Sequence, residues 1–360
     1  MIHSFGWSDA LRHDFAPFAA RDLIPGRILV QQRGQYGLVT DLGELTGQIS
    51  GRLARDAEPG GYPAVGDWVA VAARPTEHAA TIHAVLPRRT AFVRRAADSV
   101  TAEQVVAANV DVALLVASMN ADLNPRRLER YLATAWQSGA KPVVVLTKAD
   151  LAEDPEGDIA DAESVAFGTP VLPVSAVTGE GMAALAAWLK PGETAVLVGS
   201  SGVGKSSLVN ALAGETLMAT AAIREDDAHG RHTTTHRELI RLPPNAMVPG
   251  ALILDTPGMR ELGLLDADEG LSATFDDVEE IAAGCRFNDC HHGNEPGCAV
   301  RAALDSGELD PGRWKSFVKL QKELRYQALK ESPDARQAYR REWKPIIKAQ
   351  RARTKLRNKT

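Results

Sequence analysis

Four stretches of this chain combine glycines, hydroxyls and carboxylates in patterns suited to a nucleoside triphosphate. Gly199-Ser200-Ser201-Gly202-Val203-Gly204-Lys205-Ser206 fits the phosphate loop G-x-x-x-x-G-K-[ST] at every fixed position. Its glycines let backbone N–H groups converge on phosphate oxygens, and the helix expected after it adds partial positive charge. Lys205 is placed to reach the β- and γ-phosphates, and the Ser206 hydroxyl to coordinate Mg²⁺. Thr147-Lys148-Ala149-Asp150 ends an apolar run and suits a loop that reads guanine. The Asp150 carboxylate can accept from N1–H and from the 2-amino group, donors that adenine lacks on that edge, while the Lys148 stem lies along the purine. Ser175-Ala176 offers a backbone donor to guanine O6. Asp255-Thr256-Pro257-Gly258 follows the apolar run 251–254, as expected for a Mg²⁺-facing carboxylate and a glycine that senses the γ-phosphate. Each short match alone also reads as a turn; four at strand ends point to one site.

A fifth cluster has different chemistry. Cys285, Cys290, His292 and Cys298 place three thiols and an imidazole in one short segment that holds every cysteine of the chain. Three thiolates and an imidazole form a recognised tetrahedral Zn²⁺ shell, and a closed shell of four protein ligands implies a structural ion. His291 competes with His292 for the fourth position, and free cysteines beside surface histidines are the alternative.

The elements that must hold these groups alternate between strand and helix. Runs 111–117, 141–147, 170–174 and 194–198 read as buried strands. Segments 124–139, 179–189 and 205–213 read as helices, with Asn124 as an N-cap. Short connections between them imply a parallel sheet covered on both faces. Upstream, 26–31, 36–41, 67–72 and 80–86 read as short strands separated by Gly34, Gly43, Gly47, Gly51 and the Pro59-Gly60-Gly61 turn. That pattern predicts a small antiparallel barrel, for which a five-stranded oligonucleotide-binding barrel fits the length and a plain meander is the alternative. Segment 87–96 flanks Phe92 with Arg88, Arg89, Arg94 and Arg95, either a grip for a nucleic-acid backbone or a solvated linker. Beyond residue 269 the chain turns helical, ending in a charged helix over 313–353.

A chain of 360 residues with 44% hydrophobic and 24% charged residues is long enough for two or three globular domains. No apolar run is long enough to cross a bilayer, and the charged residues among the first twenty argue against an export signal, so no membrane partner and a cytoplasmic location are expected. The net charge of −5 conceals a cationic end: residues 336–360 hold ten Lys or Arg against the single acid Glu342. Such a tail suits a polyanionic partner.

The order of the nucleotide motifs is the most specific feature. In ordinary small GTPases the phosphate loop comes first and the base-reading loops last; here Thr147–Asp150 and Ser175-Ala176 precede the phosphate loop, and Asp255–Gly258 comes last. A circular permutation preserves the packed core while leading the γ-phosphate-sensing loops straight into the C-terminal region. In this order, with the barrel and the cysteine segment, the chain resembles the circularly permuted GTPases of the small-ribosomal-subunit-dependent GTPase A (RsgA) family over residues 25–330. The resemblance implies a multidomain architecture: an extension at 1–24, an OB-fold barrel at 25–95, a permuted α/β P-loop GTPase domain at 96–265, a mainly helical zinc domain at 266–335 and a basic tail at 336–360. It implies GTP hydrolysis coupled to late maturation of the small (30S) ribosomal subunit, with that subunit and its ribosomal RNA as partners. By motif it extends the phosphate site to Ser207 and selects His292 over His291. Gly230–His236 is similar to the family's first switch, which makes His232 the candidate for orienting water, Arg231 a lesser one for charge stabilisation, and Thr234, or its neighbour Thr233, the Mg²⁺ contact. Two departures stand out. Thr147 occupies a position that is usually Asn, implying one lost amide contact, and Met259 stands where many GTPases carry a water-orienting Gln. A monomer is expected. An RNA-binding module with nucleotide as a structural ligand, and an ATP-dependent phosphotransferase, are the alternatives.

Overall fold

The computed structural model describes residues 1–32, 34–57, 60–95, 103–119, 123–218, 237–255, 268–293 and 295–331. A one-turn 3-10 helix, Ile2–Phe5, precedes helix α1 (Asp9–Ala19), whose first turn is capped by Ser8. Strands β1 (Ile24–Gln32), β2 (Gln35–Thr40) and β3 (Gly43–Ile49), helix α2 (Gly51–Asp56), and strands β4 (Trp68–Arg74) and β5 (Ala79–Val85) follow. The five strands run in the order β1-β2-β3-β5-β4, and β4 returns to pair with β1, so the barrel is closed. It is antiparallel except at β3–β5, which is parallel. Ile28, Leu38, Leu45, Val69, Val71 and Ile82 fill its interior. Closure leaves no unpaired edge in this small unit.

Strand β3 departs from the sequence reading, in which Gly43 and Gly47 separate elements. Both lie within the strand. A side chain at Gly47 would come within 2.6 Å of Leu38 and 3.2 Å of Ile82, so glycine there makes room for barrel packing. Segment 87–96 is not a solvated linker over its described residues, and neither Phe92 nor Arg88 is available to a nucleic acid. Strand β6 (Ala91–Arg95) pairs with β7 (Glu103–Ala108), and Phe92 is only 1% exposed, so it cannot stack on a base. Arg88 spans the buried Asp67 carboxylate with bonds of 2.8 and 2.7 Å, a structural ion pair.

The remaining elements are β8 (Val112–Ser118), α3 (Pro125–Ser138), β9 (Lys141–Thr147), α4 (Pro155–Glu163), β10 (Val171–Pro173), α5 (Met182–Ala186), β11 (Thr194–Val198), α6 (Lys205–Ala213), β12 (Arg237–Arg241) and β13 (Leu252–Asp255). Asn124 caps α3 by accepting from the Arg127 amide, and Gly139 ends it in the left-handed region. Helix α5 is shorter than the predicted 179–189. Gly181 sets its start: at φ 69°, it lies where a Cβ would approach the Pro173 carbonyl oxygen to 2.1 Å. The strands form the order β10-β9-β8-β11-β13-β12, parallel apart from the antiparallel β12–β13 pair. β12 then pairs with β1, aligning Val30 with Glu238, so the barrel and the second sheet are one hydrogen-bonded surface of eleven strands.

Buried Arg27 reinforces this junction. Its guanidinium donates to the carbonyls of Phe5, Gly66 and Asn109 and to the Thr194 hydroxyl, and lies 5.3 Å from the Trp68 ring. Burial pushes its pKa down to about 10, which still leaves a cation at neutral pH. The N-terminal segment, whose role the sequence leaves open, seals the barrel: Ile2, Leu11 and Phe15 pack with Trp68 and Leu86.

Helices α7 (Asp268–Thr274), α8 (Asp276–Ala283), α9 (Ala299–Ser306) and α10 (Pro311–Glu331) build a C-terminal unit around Phe275, Val278, Val300, Phe317 and Leu320. It docks on α3, where a Cβ at Gly270 would come within 2.2 Å of the Ala133 carbonyl oxygen. Fully buried Glu129 of α3 accepts from Arg126 at 2.7 Å, from Arg313 at 3.2 Å and from Ser316. A buried carboxylate needs such partners to remain charged. The predicted helix over 313–353 is present to Glu331; its remainder, the basic tail 336–360 and the cations placed on it lie outside the described residues.

Candidate functional site

The parallel strands end on one edge, and each nucleotide motif follows or ends a strand there. Thr147 closes β9, Ser175 follows β10, Gly199 follows β11 and Asp255 closes β13. In open α/β sheets ligands bind outside the carboxyl ends of the strands. Gly199 has to be glycine at this turn, since a Cβ would lie 2.3 Å from the Val116 carbonyl oxygen. Gly202 and Gly204 have φ 79° and 91°, the left-handed backbone that turns the loop into α6. Val203 is buried beneath the loop, while Ser200, Ser201, Ser206 and Ser207 are partly or fully exposed. Lys205 donates to the carbonyl oxygens of Gly199 at 2.8 Å and Ser200 at 2.5 Å, which keeps its ammonium across the loop.

The first of the two loops expected to read the base meets the phosphate loop through Thr147. This residue is 4% exposed, and its hydroxyl lies 3.0 Å from the Ala117 carbonyl oxygen and 2.5 Å from that of Val203. A hydroxyl at this position therefore spans from β9 to the phosphate loop, a link that the expected loss of an amide contact did not anticipate. Lys148 is left-handed (φ 59°), turning the chain so that Ala149 donates to the Val174 carbonyl at 3.2 Å, beside Ser175 and Ala176. The Ser175 hydroxyl accepts from the amides of Val177 and Thr178 and so fixes the second loop. Asp150, on the one-turn helix after Lys148, is exposed. Asp255 is aligned through β13 beside the strand that feeds the phosphate loop. His232, Thr233, Thr234, Arg231, Gly258 and Met259 lie outside the described residues.

No sequence motif marks Arg127. Its guanidinium contacts the Ser200 hydroxyl of the phosphate loop from the first turn of α3. The available signal was positional, because α3 begins just beyond the carboxyl end of β8, on the nucleotide edge. Its neighbours Arg126, Glu129 and Arg130 bind Asp310, Arg313 and Glu323 of the C-terminal unit. One helix thus touches both the phosphate loop and the C-terminal helices.

In that unit Cys285, Cys290, His292 and Cys298 bring their ligand atoms within 4.8 Å of one another, while His291 is not part of the group. Cys285 Sγ is 4.0 Å from Cys298 Sγ and 3.5 Å from His292 Nδ1. Tetrahedral ligands around zinc at about 2.3 Å from sulfur lie roughly 3.7 Å apart, so this donor set fits such an ion. Burial raises the Cys285 thiol pKa, but amide donors at Val300 and Ala299, at the start of α9, outweigh it and bring the thiol below its ordinary value. Cys298 caps the same helix, accepting from the Arg301 amide. A helix N-terminus favours thiolate, the form that binds metal.

With its phosphate loop on the fourth strand of the parallel set in chain order and base-reading loops upstream of it, the chain has the topology of a circularly permuted P-loop GTPase. The model for the RsgA GTPase family matches residues 85–265. The protein named Small ribosomal subunit biogenesis GTPase RsgA of Opitutus terrae is 48% identical, over 99% of this chain and 98% of its own length. Its namesake in Streptomyces coelicolor is 46% identical, over 95% and 92%. Among solved structures, YjeQ from Thermotoga maritima covers 84% of this chain and 98% of its own at a TM-score of 0.60 and 26% identity. YloQ, described as a circularly permuted GTPase, covers 85% and 96% at 0.58 and 25%. The chain belongs to the RsgA GTPase family.

Two outcomes follow from this geometry. Thr147→Ala removes the link between the base-reading and phosphate loops, and should weaken GDP and GTP together by about five- to tenfold, the worth of one buried hydrogen bond. Calorimetric titration checks it, and unchanged affinity for both contradicts it. Cys290→Ala should purify without stoichiometric zinc and lose helical signal on heating before the rest of the chain; retained zinc, measured by elemental analysis, contradicts the ligand set.

Proposed function

We propose that this chain is a GTP hydrolase that acts as an assembly factor in late maturation of the small ribosomal subunit and is stimulated by that subunit. The observation that carries the reading is the Thr147 link between the base-reading and phosphate loops at one edge of the sheet, joined to family membership over nearly the whole chain. In this reading Asp150 and the Lys148 stem hold guanine, with Ser175 and Ala176 at O6. Gly199 to Ser207 wrap the phosphates, and Lys205 neutralises the β- and γ-phosphoryl oxygens. Mg²⁺, held by Ser206 and Asp255, supplies further neutralisation of the phosphates when bound. Thr234 and Gly258 close on the γ-phosphate, and His232 orients the attacking water in place of the Gln that Met259 replaces. Zinc at Cys285, Cys290, His292 and Cys298 is structural.

The division into 25–95, 96–265 and 266–335, with the basic tail 336–360, belongs to the same proposal. So do the 30S subunit and its ribosomal RNA as partners, a monomer in solution and a cytoplasmic location. No helix among the described residues is long and apolar enough to cross a membrane. GTP closes the switches, the closed form binds the subunit, and hydrolysis releases it. Steady-state GTP hydrolysis should be slow for the protein alone and should rise strongly with purified small subunits, not large ones. Equal rates with and without small subunits contradict the reading.

A further inference from the structure

At the opposite edge of the sheet, where β8, β9 and β11 begin, lies a cavity of about 350 Å³. The strands are five to seven residues long, so this cavity is about 20 Å from the nucleotide edge. Arg89, Lys141, Lys190 and Trp188 line it, together with the acids Asp111 and Glu193. Trp188 follows α5, and its neighbours Leu185 and Leu189 are buried while Trp188 itself is 39% exposed. The local helical spacing therefore turns this large apolar plate outward, toward the cations. Among the described residues Arg89 and Lys141 form no ion pair. Lys190 has a long contact with Glu193, 3.4 Å, and Asp111 accepts from the Thr194 amide through one oxygen.

This combination selects among ligands. Two carboxylates disfavour a bare phosphate, while three cations disfavour a neutral aromatic ligand; a molecule with an aromatic ring, amino donors and flanking negative charge suits all of them. The volume accommodates one base and is too small for a helix or a duplex edge. We propose that this cavity takes one unpaired nucleotide of single-stranded RNA, its base stacked on Trp188 and its flanking phosphates held by Arg89, Lys141 and Lys190. Asp111 accepts from the amino or imino group of the base. Aromatic stacking with cations beside it is the general mode by which proteins hold single strands. The inference rests on the proposed ribosomal RNA partner and adds a contact surface remote from the GTP site.

The test is binding of a short single-stranded oligoribonucleotide to the full-length protein at fixed salt, for the parent, Trp188→Ala, Trp188→Phe and Lys141→Glu. Trp188→Ala should lose about tenfold in affinity while Trp188→Phe, which keeps a ring, stays close to the parent. Lys141→Glu should weaken binding and flatten its salt dependence. An abasic oligomer of equal length, held through phosphates alone, should not distinguish Trp188→Ala from the parent. GTP affinity should be unchanged in all three variants, which also shows that they fold. If the parent binds no oligomer, or Trp188→Ala binds as the parent does, the inference is overturned. Subunit-stimulated hydrolysis by the parent separates the two failures: where stimulation is present, only this contact falls; where it is absent, the functional reading falls with it.

Discussion

The Thr147 hydroxyl, packed between the carbonyl oxygens of Ala117 and Val203, is the contact on which the nucleotide edge depends. It joins two loops separated by more than fifty residues, and does so without solvent. Its position follows from the parallel register of β9, β8 and β11, which aligns Thr147 with Ser118 on one side and Leu115 with Val198 on the other. A slip in that register would move the side chain to the other face and break the link. Gly199 completes the approach by leaving no Cβ where the Val116 carbonyl comes close, and Gly204 supplies the left-handed backbone that turns the loop beside Thr147. Permutation of the chain is tolerated because the contacts are set by the sheet and not by the order of its strands.

Two further constraints connect this edge to the rest of the molecule. β12 pairs directly with barrel strand β1, and Arg27 ties that same barrel strand to Thr194 at the start of the strand feeding the phosphate loop. On the other side, α3 meets the phosphate loop through Arg127 and the C-terminal helices through buried Glu129. Barrel, nucleotide edge and C-terminal unit therefore share elements instead of being strung on linkers. Removing Arg313 would leave the buried Glu129 carboxylate with Arg126 and Ser316 alone, and disturbing a buried network of this kind costs more than losing a surface pair.

Much of the nucleotide edge was legible in the sequence because its chemistry is local. β9, β11 and α6 have the bounds read from the pattern, and the cap of α3 lies on Asn124 as expected. The cysteine segment likewise folds into the cluster that its spacing implies. What escaped was non-local. Gly47 looked like a separator because Leu38 and Ile82, which need its missing side chain, arrive from other strands. Arg88 reads as part of a nucleic-acid grip because the Asp67 that binds it lies twenty-one residues away. The β1–β12 pairing and the Arg127 contact leave no periodicity at all, since edge pairing and helix docking are decided by the assembled sheet.

The central claim is that these loops surround a single guanine nucleotide, and Asp150 tests it most directly. In Asp150→Asn the carboxylate proposed to accept from the guanine 2-amino group becomes an amide, which can instead donate to the 2-carbonyl of xanthine. Binding of GTP and of xanthosine triphosphate should be measured side by side on the parent and on this variant. GTP affinity should fall by roughly a hundredfold or more, as expected where charge-assisted hydrogen bonds to a carboxylate are lost, while xanthosine triphosphate affinity rises. A variant that binds GTP as tightly as the parent would contradict it.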